Sequence, residues 1–140
     1  MTTWRPRRSR AIAYTMASII MVMMVVLAIV VPPPFGVIDK VGLILFGGLV
    51  AGILCLIGRC RLTADARGLT VVNVVRTHRY EWAEIVRINL QPGDPWPTLD
   101  LANGESIGAM GIQGSEGERA KVAVREVREL LVQYGEAREP

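Results

Sequence analysis

Two long uncharged segments in the first half of the chain restrict what this sequence can fold into. Residues 11–31 and 41–58 contain no acidic or basic side chain and are rich in Ile, Val, Leu and Met. At ~1.5 Å rise per residue, helices over these segments would reach ~31 Å and ~27 Å, close to the hydrocarbon thickness of a bilayer. The rest of the 140-residue chain is too small to bury both as core helices. The sequence therefore predicts a transmembrane α-helical hairpin with spans 11–31 and 41–58.

The segment between the spans and the charges around them predict the orientation. Residues 32–34 are three prolines, which end the first helix, and residues 32–40 form a short loop with no net charge. Arginines flank the outer ends of the pair: Arg5, Arg7, Arg8, Arg10, Arg59 and Arg61. Arginine is retained on the cytoplasmic side, so we expect a multi-pass protein of the plasma (inner) membrane with both termini in the cytoplasm. These arginines would also lie near the anionic headgroups of the lipid bilayer.

A signal peptide is the competing interpretation of residues 11–31. The basic segment before it fits, but the apolar run is longer than a usual signal sequence and a second span follows directly. Within the second span, Gly48 and Gly52 are four residues apart and allow close helix packing. That contact is expected within the hairpin rather than in a homo-oligomer or a larger membrane complex, because the short loop already supplies a neighbour. The spans lack the ionisable residues that transporters usually need.

The basic residues and cysteines exclude several other classes. The net charge of +3 arises from four arginines before residue 11, whereas residues 59–140 hold 11 basic and 12 acidic residues. This distribution argues against nucleic acid as a partner. Cys55 and Cys60 are the only cysteines, too few for a disulfide framework, and Cys60 is a minor candidate for palmitoylation.

After Cys60 the sequence pattern becomes that of short β-strands. Segments 69–75, 77–82, 84–90, 98–102 and 105–112 are rich in β-branched residues or alternate between apolar and polar. Asn103-Gly104 predicts a hairpin with a type I′ turn. Ser115 and Glu118 form a capping-box pattern that predicts a helix to about Tyr134, with Leu131 on its buried face. The predicted organisation is a basic N-terminal cytoplasmic segment (1–10), the membrane hairpin (11–58) and a cytoplasmic domain (59–140).

The order of strands followed by a closing helix resembles the pleckstrin-homology (PH) domain. The run from Leu69 to Ile85, with a basic hairpin followed by a Trp-x-x-Ile step, is similar to bacterial PH-domain families. Two membrane spans before such a domain resemble small actinobacterial PH-domain membrane proteins. The resemblance implies a β-rich PH-like domain of about six to seven strands, capped by one C-terminal α-helix.

No residue pattern predicts catalysis, a metal site or a cofactor. The chain has one histidine, no nucleophile elbow, no Walker loop and no His-Glu-x-x-His pattern. The remaining basic group, Arg76, His78 and Arg79, falls on a predicted hairpin. It is either a solvated tip or, as the resemblance to eukaryotic PH domains implies, a site for a phosphorylated headgroup.

We therefore expect a non-enzymatic, membrane-anchored interaction module at the cytoplasmic face, with another protein as its partner. The alternatives are an anionic-lipid sensor and an accessory subunit of a larger membrane complex.

Overall fold

The structure, a computed structural model, describes residues 1–135, so the end of the predicted 59–140 domain lies outside the described residues. The chain forms two compact units. One is the helical segment Arg10–Gly58. The other combines residues 1–9 with the described chain from Arg59 onward, so the segments before and after the two helices belong to one unit.

Two helices dominate the first half of the chain. α1 comprises Arg7–Val30 and α2 comprises Val37–Gly58, and both are long and apolar enough to cross a membrane. α1 begins four residues before the predicted span. α2 also begins earlier than predicted, and the Asp39 carboxylate accepts a hydrogen bond from the Gly36 amide at 2.8 Å just before its first turn. That bond satisfies a backbone donor that the helix itself leaves unpaired.

Four antiparallel strands form the first sheet, in the order β1-β2-β3-β4. Their bounds are Thr2–Trp4, Arg61–Ala64, Gly68–Val72 and Thr77–Glu81. β1 pairs with β2 from Thr2 opposite Ala64 to Trp4 opposite Leu62. The residues before the first apolar helix therefore supply the edge strand of the sheet. In chain order, α1 and α2 stand as an insertion between two neighbouring strands.

The second sheet contains β5 (Ile85–Asn89), β6 (Thr98–Leu101) and β7 (Ser106–Gly108), in that order. The predicted β6–β7 hairpin is confirmed, but its turn is not type I′. The Gly104 amide donates to the Leu101 carbonyl at 3.0 Å, and the Leu101 amide donates to the Glu105 carbonyl at 2.8 Å. Among the described residues only glycines have positive φ, with Gly104 at 87°. The hairpin is thus a three-residue loop that needs one left-handed residue, whereas a type I′ turn needs two.

α3 comprises Glu118–Gly135 and packs on the sheets. Ser115 does not cap it, contrary to the capping-box prediction. Ser115 lies in a 3₁₀ turn (Gly114–Glu116), and Gly117 at φ 61° separates that turn from the helix. Val127 is the fully buried contact of α3, whereas Leu131 is only partly buried.

Trp82 is the largest side chain of the core. It lies between β4 and β5 with 1% of its surface exposed. Its indole N–H donates to the Asp65 carbonyl at 2.9 Å, and its ring stacks on Tyr134 with 5.9 Å between centroids. Two antiparallel sheets of seven strands, closed by a C-terminal helix, confirm the expected PH-like fold with a helical hairpin.

Candidate interaction site

The β3–β4 hairpin carries the basic group that sequence analysis selected. Alternation along β4 places His78 on one face of the sheet and Arg79 on the other, since successive side chains of a strand point to opposite faces. His78 pairs with the buried Val71, and Arg79 pairs with Thr70. Arg76 lies outside the strands, in the exposed tip between them. The structure therefore does not bring these three side chains together.

The guanidinium of Arg79 already has partners within its own sheet. It donates to the Asp65 carboxylate at 2.9 Å and to the Thr70 hydroxyl at 3.2 Å. The hydrogen bond from Arg79 lowers the pKa of Asp65, and the Arg67 amide acts in the same direction. A ligand anion at Arg79 would compete with this carboxylate, so Arg79 is a poor anchor for a headgroup.

His78 lies at the rim of the core rather than at an open binding surface. Its ring stacks on Tyr80 with 5.9 Å between centroids, and both residues are half-buried. Burial, with smaller contributions from the nearby Glu105 and Glu84 carboxylates, raises the pKa of Tyr80. Because these two carboxylates lie near Tyr80, the surface around the stacked pair of His78 and Tyr80 is unfavourable for binding a phosphate.

The juxtamembrane arginines occupy both ends of the helical insertion. Five of them are exposed: Arg5, Arg7, Arg8, Arg59 and Arg61. Arg10 is half-buried, with its guanidinium carbon 5.5 Å from the centroid of the Tyr14 ring, a cation–π distance.

One polar contact near these arginines was missed by sequence analysis. Glu116 is 9% exposed, and its Oε1 accepts a hydrogen bond from the Arg8 amide at 2.7 Å, in the first turn of α1. Its Oε2 faces the Arg119 guanidinium at 3.5 Å. A carboxylate at a helix N-terminus is stabilised by the helix dipole. Sequence analysis assigned the segment around Glu116 to a capping box of the helix that follows it. The helix that Glu116 actually caps lies over 100 positions away in sequence, so the local pattern did not indicate this contact.

The glycines of α2 separate into two faces. Gly47 and Ala51 are buried, and a Cβ added at Gly47 would lie 2.7 Å from the Met24 side chain of α1. Gly48 and Gly52 are exposed, and a Cβ at either position would meet nothing within 4 Å. The close contact within the hairpin therefore uses the residues one position earlier than those that the sequence selected.

The two cysteines differ in exposure, and the acidic groups form no metal-holding cluster among the described residues. Cys60 is 2% exposed, and burial raises the pKa of its thiol, so it is not presented for acylation. Cys55 is exposed on α2. Within residues 1–135, no group of three or more His, Cys, Asp or Glu side chains is placed to hold a metal ion.

Comparison with known proteins agrees with this architecture. Residues 59–130 match the bacterial PH domain family. The uncharacterized proteins Rv1417 of Mycobacterium tuberculosis and Mb1452 of Mycobacterium bovis are each 34% identical over 100 residues. The alignment covers 71% of this chain and 65% of each relative's own length. No solved structure matches the chain. The family match begins directly after the end of α2 and leaves out β1, but it spans just over half of the chain. The chain belongs to the bacterial PH domain family.

Proposed function

We propose that this protein is a non-enzymatic, membrane-anchored PH-domain module that binds a protein partner at the cytoplasmic face of the plasma membrane. The observation that carries the proposal is the divergence of the hairpin cations. A headgroup pocket needs several donors converging on one phosphate. Here Arg76 lies at the hairpin tip, His78 is half-buried, and Arg79 is paired with Asp65.

Exposure of the helical unit supports the membrane anchor. Only 17% of the most apolar stretch of each helix is buried, so these helices are not packed as the core of a soluble protein would be. Their exposed side chains include Ile29 (72%) and Leu49 (63%). Such apolar surface is stable in a bilayer and costly in water. The exposed arginines at both outer ends favour the orientation with the domain in the cytoplasm.

The domain itself offers exposed apolar side chains for a protein contact. Val86 on β5 is 60% exposed, at a position where the β5–β6 register shifts. Val122 on α3 is 43% exposed. Replacing each in turn by a photo-crosslinking amino acid in the full-length chain, and irradiating intact cells, tests the proposal.

We expect a discrete protein adduct from at least one of these positions, unchanged when Arg76→Gln and Arg79→Gln are combined. The anionic-lipid sensor predicts the opposite pattern. A lipid sensor would give no protein adduct. Instead, the domain within the full-length chain would bind anionic lipid in a salt-sensitive way, and this binding would require both Arg76 and Arg79.

One observation favours the accessory-subunit alternative. Gly48 and Gly52 leave an open face of small residues on α2, and close approach of a further helix is what such a face permits. Gly48→Ile combined with Gly52→Ile would disrupt a helix contact there without touching α1. If a membrane protein co-purifies with the unmodified chain but not with this variant, and the domain positions give no crosslink, the subunit role would be supported over a protein partner that binds the PH domain.

A further inference from the structure

Three consecutive residues fix which face of α3 points into the domain. Val127 is fully buried in the core. On one side of it, the Glu126 carboxylate accepts a hydrogen bond from the Trp4 indole of β1 at 2.6 Å. On the other side, the Arg128 guanidinium donates to the Ile88 carbonyl of β5 at 3.2 Å. Both flanks of the helix are therefore held by strands, and the face opposite Val127 is turned outward.

The outward face of α3 carries four exposed side chains. At about 100° per residue, positions 122, 125, 129 and 132 all lie within about 40° of the direction opposite Val127. We name these four residues the α3 stripe: Val122, Arg125, Glu129 and Val132. The two valines are 43% and 56% exposed, so the stripe presents apolar surface at its ends and charge at its centre.

The two charges of the stripe are not neutralised within the domain. Among residues 1–135, neither Arg125 nor Glu129 forms an ion pair. The charges at the start of the same helix differ in this respect, since Lys121 pairs with Glu118 at 3.1 Å. Arg125 and Glu129 can therefore each pair with a group on another molecule.

The order of residues in the stripe is self-complementary. Positions 122 and 132 are each five residues from 127, and positions 125 and 129 are each two residues from it. If a second α3 lies antiparallel across the stripe, Val122 of one copy is level with Val132 of the other. Arg125 is then level with Glu129, and the same two contacts recur with the copies exchanged. A closed two-fold dimer requires a surface of this kind.

Only the antiparallel arrangement is electrostatically favourable. A parallel pair in register would place Arg125 opposite Arg125 and Glu129 opposite Glu129, and like charges facing each other across an interface are costly. An unrelated partner would need the same alternation of valine, acid and base in reverse order. A second copy of this chain supplies that order without further assumption.

We propose that the α3 stripe binds the α3 stripe of a second copy of this chain, in an antiparallel and two-fold symmetric helix pair. Between positions 122 and 132 the stripe is about 15 Å long, so the contact is smaller than a stable soluble interface. Chains held in one membrane meet at a higher effective concentration than in solution. The strength of the contact, though not its geometry, therefore rests on the proposed membrane anchor. Val86 on β5 is left for the other protein partner.

Disulfide formation in membranes tests the geometry. All copies are full-length and carry Cys55→Ser, and Cys60 is retained because it is buried. Two differently tagged copies are co-expressed, one with Val122→Cys and the other with Val132→Cys, and isolated membranes are oxidised with copper phenanthroline. We expect a crosslink between the two tags. Arg67→Cys in place of Val122→Cys is the matched control at an exposed position outside the stripe.

Each cysteine variant expressed alone tests the direction of the pair. In an antiparallel arrangement, position 122 of one copy lies about 15 Å along the helix axis from position 122 of the other. That distance is beyond the reach of a disulfide. We therefore expect little crosslinking of Val122→Cys chains with one another, whereas a parallel pair would give abundant crosslinking.

Charge reversal tests the pairing. Arg125→Glu on both tagged copies should lower the initial crosslinking rate roughly tenfold, because two exposed pairs change from attraction to repulsion. Glu129→Arg on both copies should have the same effect. Arg125→Glu on one copy with Glu129→Arg on the other restores opposite charges at both contacts and should restore the rate. A defect within one helix could not be rescued by a change in a different chain. Arg67→Glu, on both copies, should leave the rate unchanged.

Three results would overturn the inference: crosslinking no faster than in the Arg67→Cys control, preferential crosslinking of Val122→Cys chains with one another, or a rate unaffected by charge reversal. The proposed function has separate readouts. Retention of the chain in carbonate-washed membranes reports the anchor in the same samples, and a photo-crosslink from Val86 reports the partner. Release of the chain by the wash would refute the anchor itself.

Discussion

Replacing the membrane hairpin by a short turn should yield a soluble domain that is more stable than one lacking β1. Because β1 and β2 are antiparallel neighbours, residues 1–6 can be joined to residue 59 by about four Gly/Ser/Asn residues, which gives a loop of about eight residues between Trp4 and Arg61, well below the length at which loops become uncommon. The comparison is with a fragment that begins at Arg59. That fragment would leave the backbone of β2 exposed as an edge.

The magnitude follows from what β1 contributes. Trp4 is half-buried against the core, and its indole N–H donates to the Glu126 carboxylate at 2.6 Å. Truncating a fully buried Trp costs about 3–5 kcal/mol, so a half-buried one is worth about 2 kcal/mol. Two or three ladder hydrogen bonds add about 1 kcal/mol each, and ordering three residues offsets about as much. We expect the joined domain to be more stable than the fragment by about 2–3 kcal/mol.

Urea unfolding followed by tryptophan fluorescence and far-UV circular dichroism measures this difference. Trp4→Ala in the joined domain serves as the intermediate case, and it should remove most of the gain without changing the fold. Equal unfolding midpoints for the joined domain and the fragment would refute the assignment of residues 2–4 to the sheet. A joined domain that fails to unfold cooperatively would refute the self-contained domain altogether.

Three further predictions concern single contacts in the same joined domain or the full chain. Val127→Ala should cost about 2–3 kcal/mol of unfolding free energy because Val127 is fully buried, whereas Val122→Ala on the exposed face should change it by less than about 0.5 kcal/mol in the same urea titration. Arg79→Gln should raise the pKa of Asp65 in an NMR carboxylate titration. The pKa of Asp65 is lower in the folded than in the unfolded protein, so its contribution to folding stability is fully present above the unfolded pKa of about 4 and is lost as pH falls through the folded pKa. The Arg79→Gln variant should therefore lose less stability than the unmodified domain on acidification. Glu116→Gln should lower the thermal stability of the detergent-solubilised full chain, consistent with about 1–2 kcal/mol for a partly buried charge at a helix N-terminus. Glu118→Gln, which removes an exposed first-turn carboxylate of α3 that pairs with Lys121, should lower it by less, and equal effects would contradict the cap.

The helices and most strands could be predicted because each is determined by the pattern of apolar and polar residues within its own segment. Uncharged runs of bilayer length define α1 and α2, and the 3–4 spacing of Ala120, Ala123, Val124 and Val127 defines α3. The turn at 102–104 was located correctly but assigned the wrong type. Asn-Gly fits both a two-residue and a three-residue loop, and only the strand register distinguishes them.

Features that depend on pairing over long sequence separations could not be predicted. Thr2–Trp4 is three residues long, too short for any alternating pattern, and its partner strand begins after both helices. The ion pair between Arg79 and Asp65 and the cap by Glu116 likewise depend on tertiary geometry. The basic hairpin residues were adjacent in sequence, but the pleat of β4 sends His78 and Arg79 to opposite faces. For the same reason the helix contact fell on Gly47 rather than Gly48, since one residue rotates a helix position by about 100°.

Paired topology reporters measure on which side of the membrane the domain lies. Alkaline phosphatase, active only outside the cytoplasm, and a fluorescent protein that folds only inside it are fused in separate chains after the last residue and within the loop at Gly36. We expect fluorescence without phosphatase activity at the chain end, and phosphatase activity without fluorescence at Gly36. Phosphatase activity at the chain end, or fluorescence at Gly36, would contradict a hairpin that holds the PH domain at the cytoplasmic face.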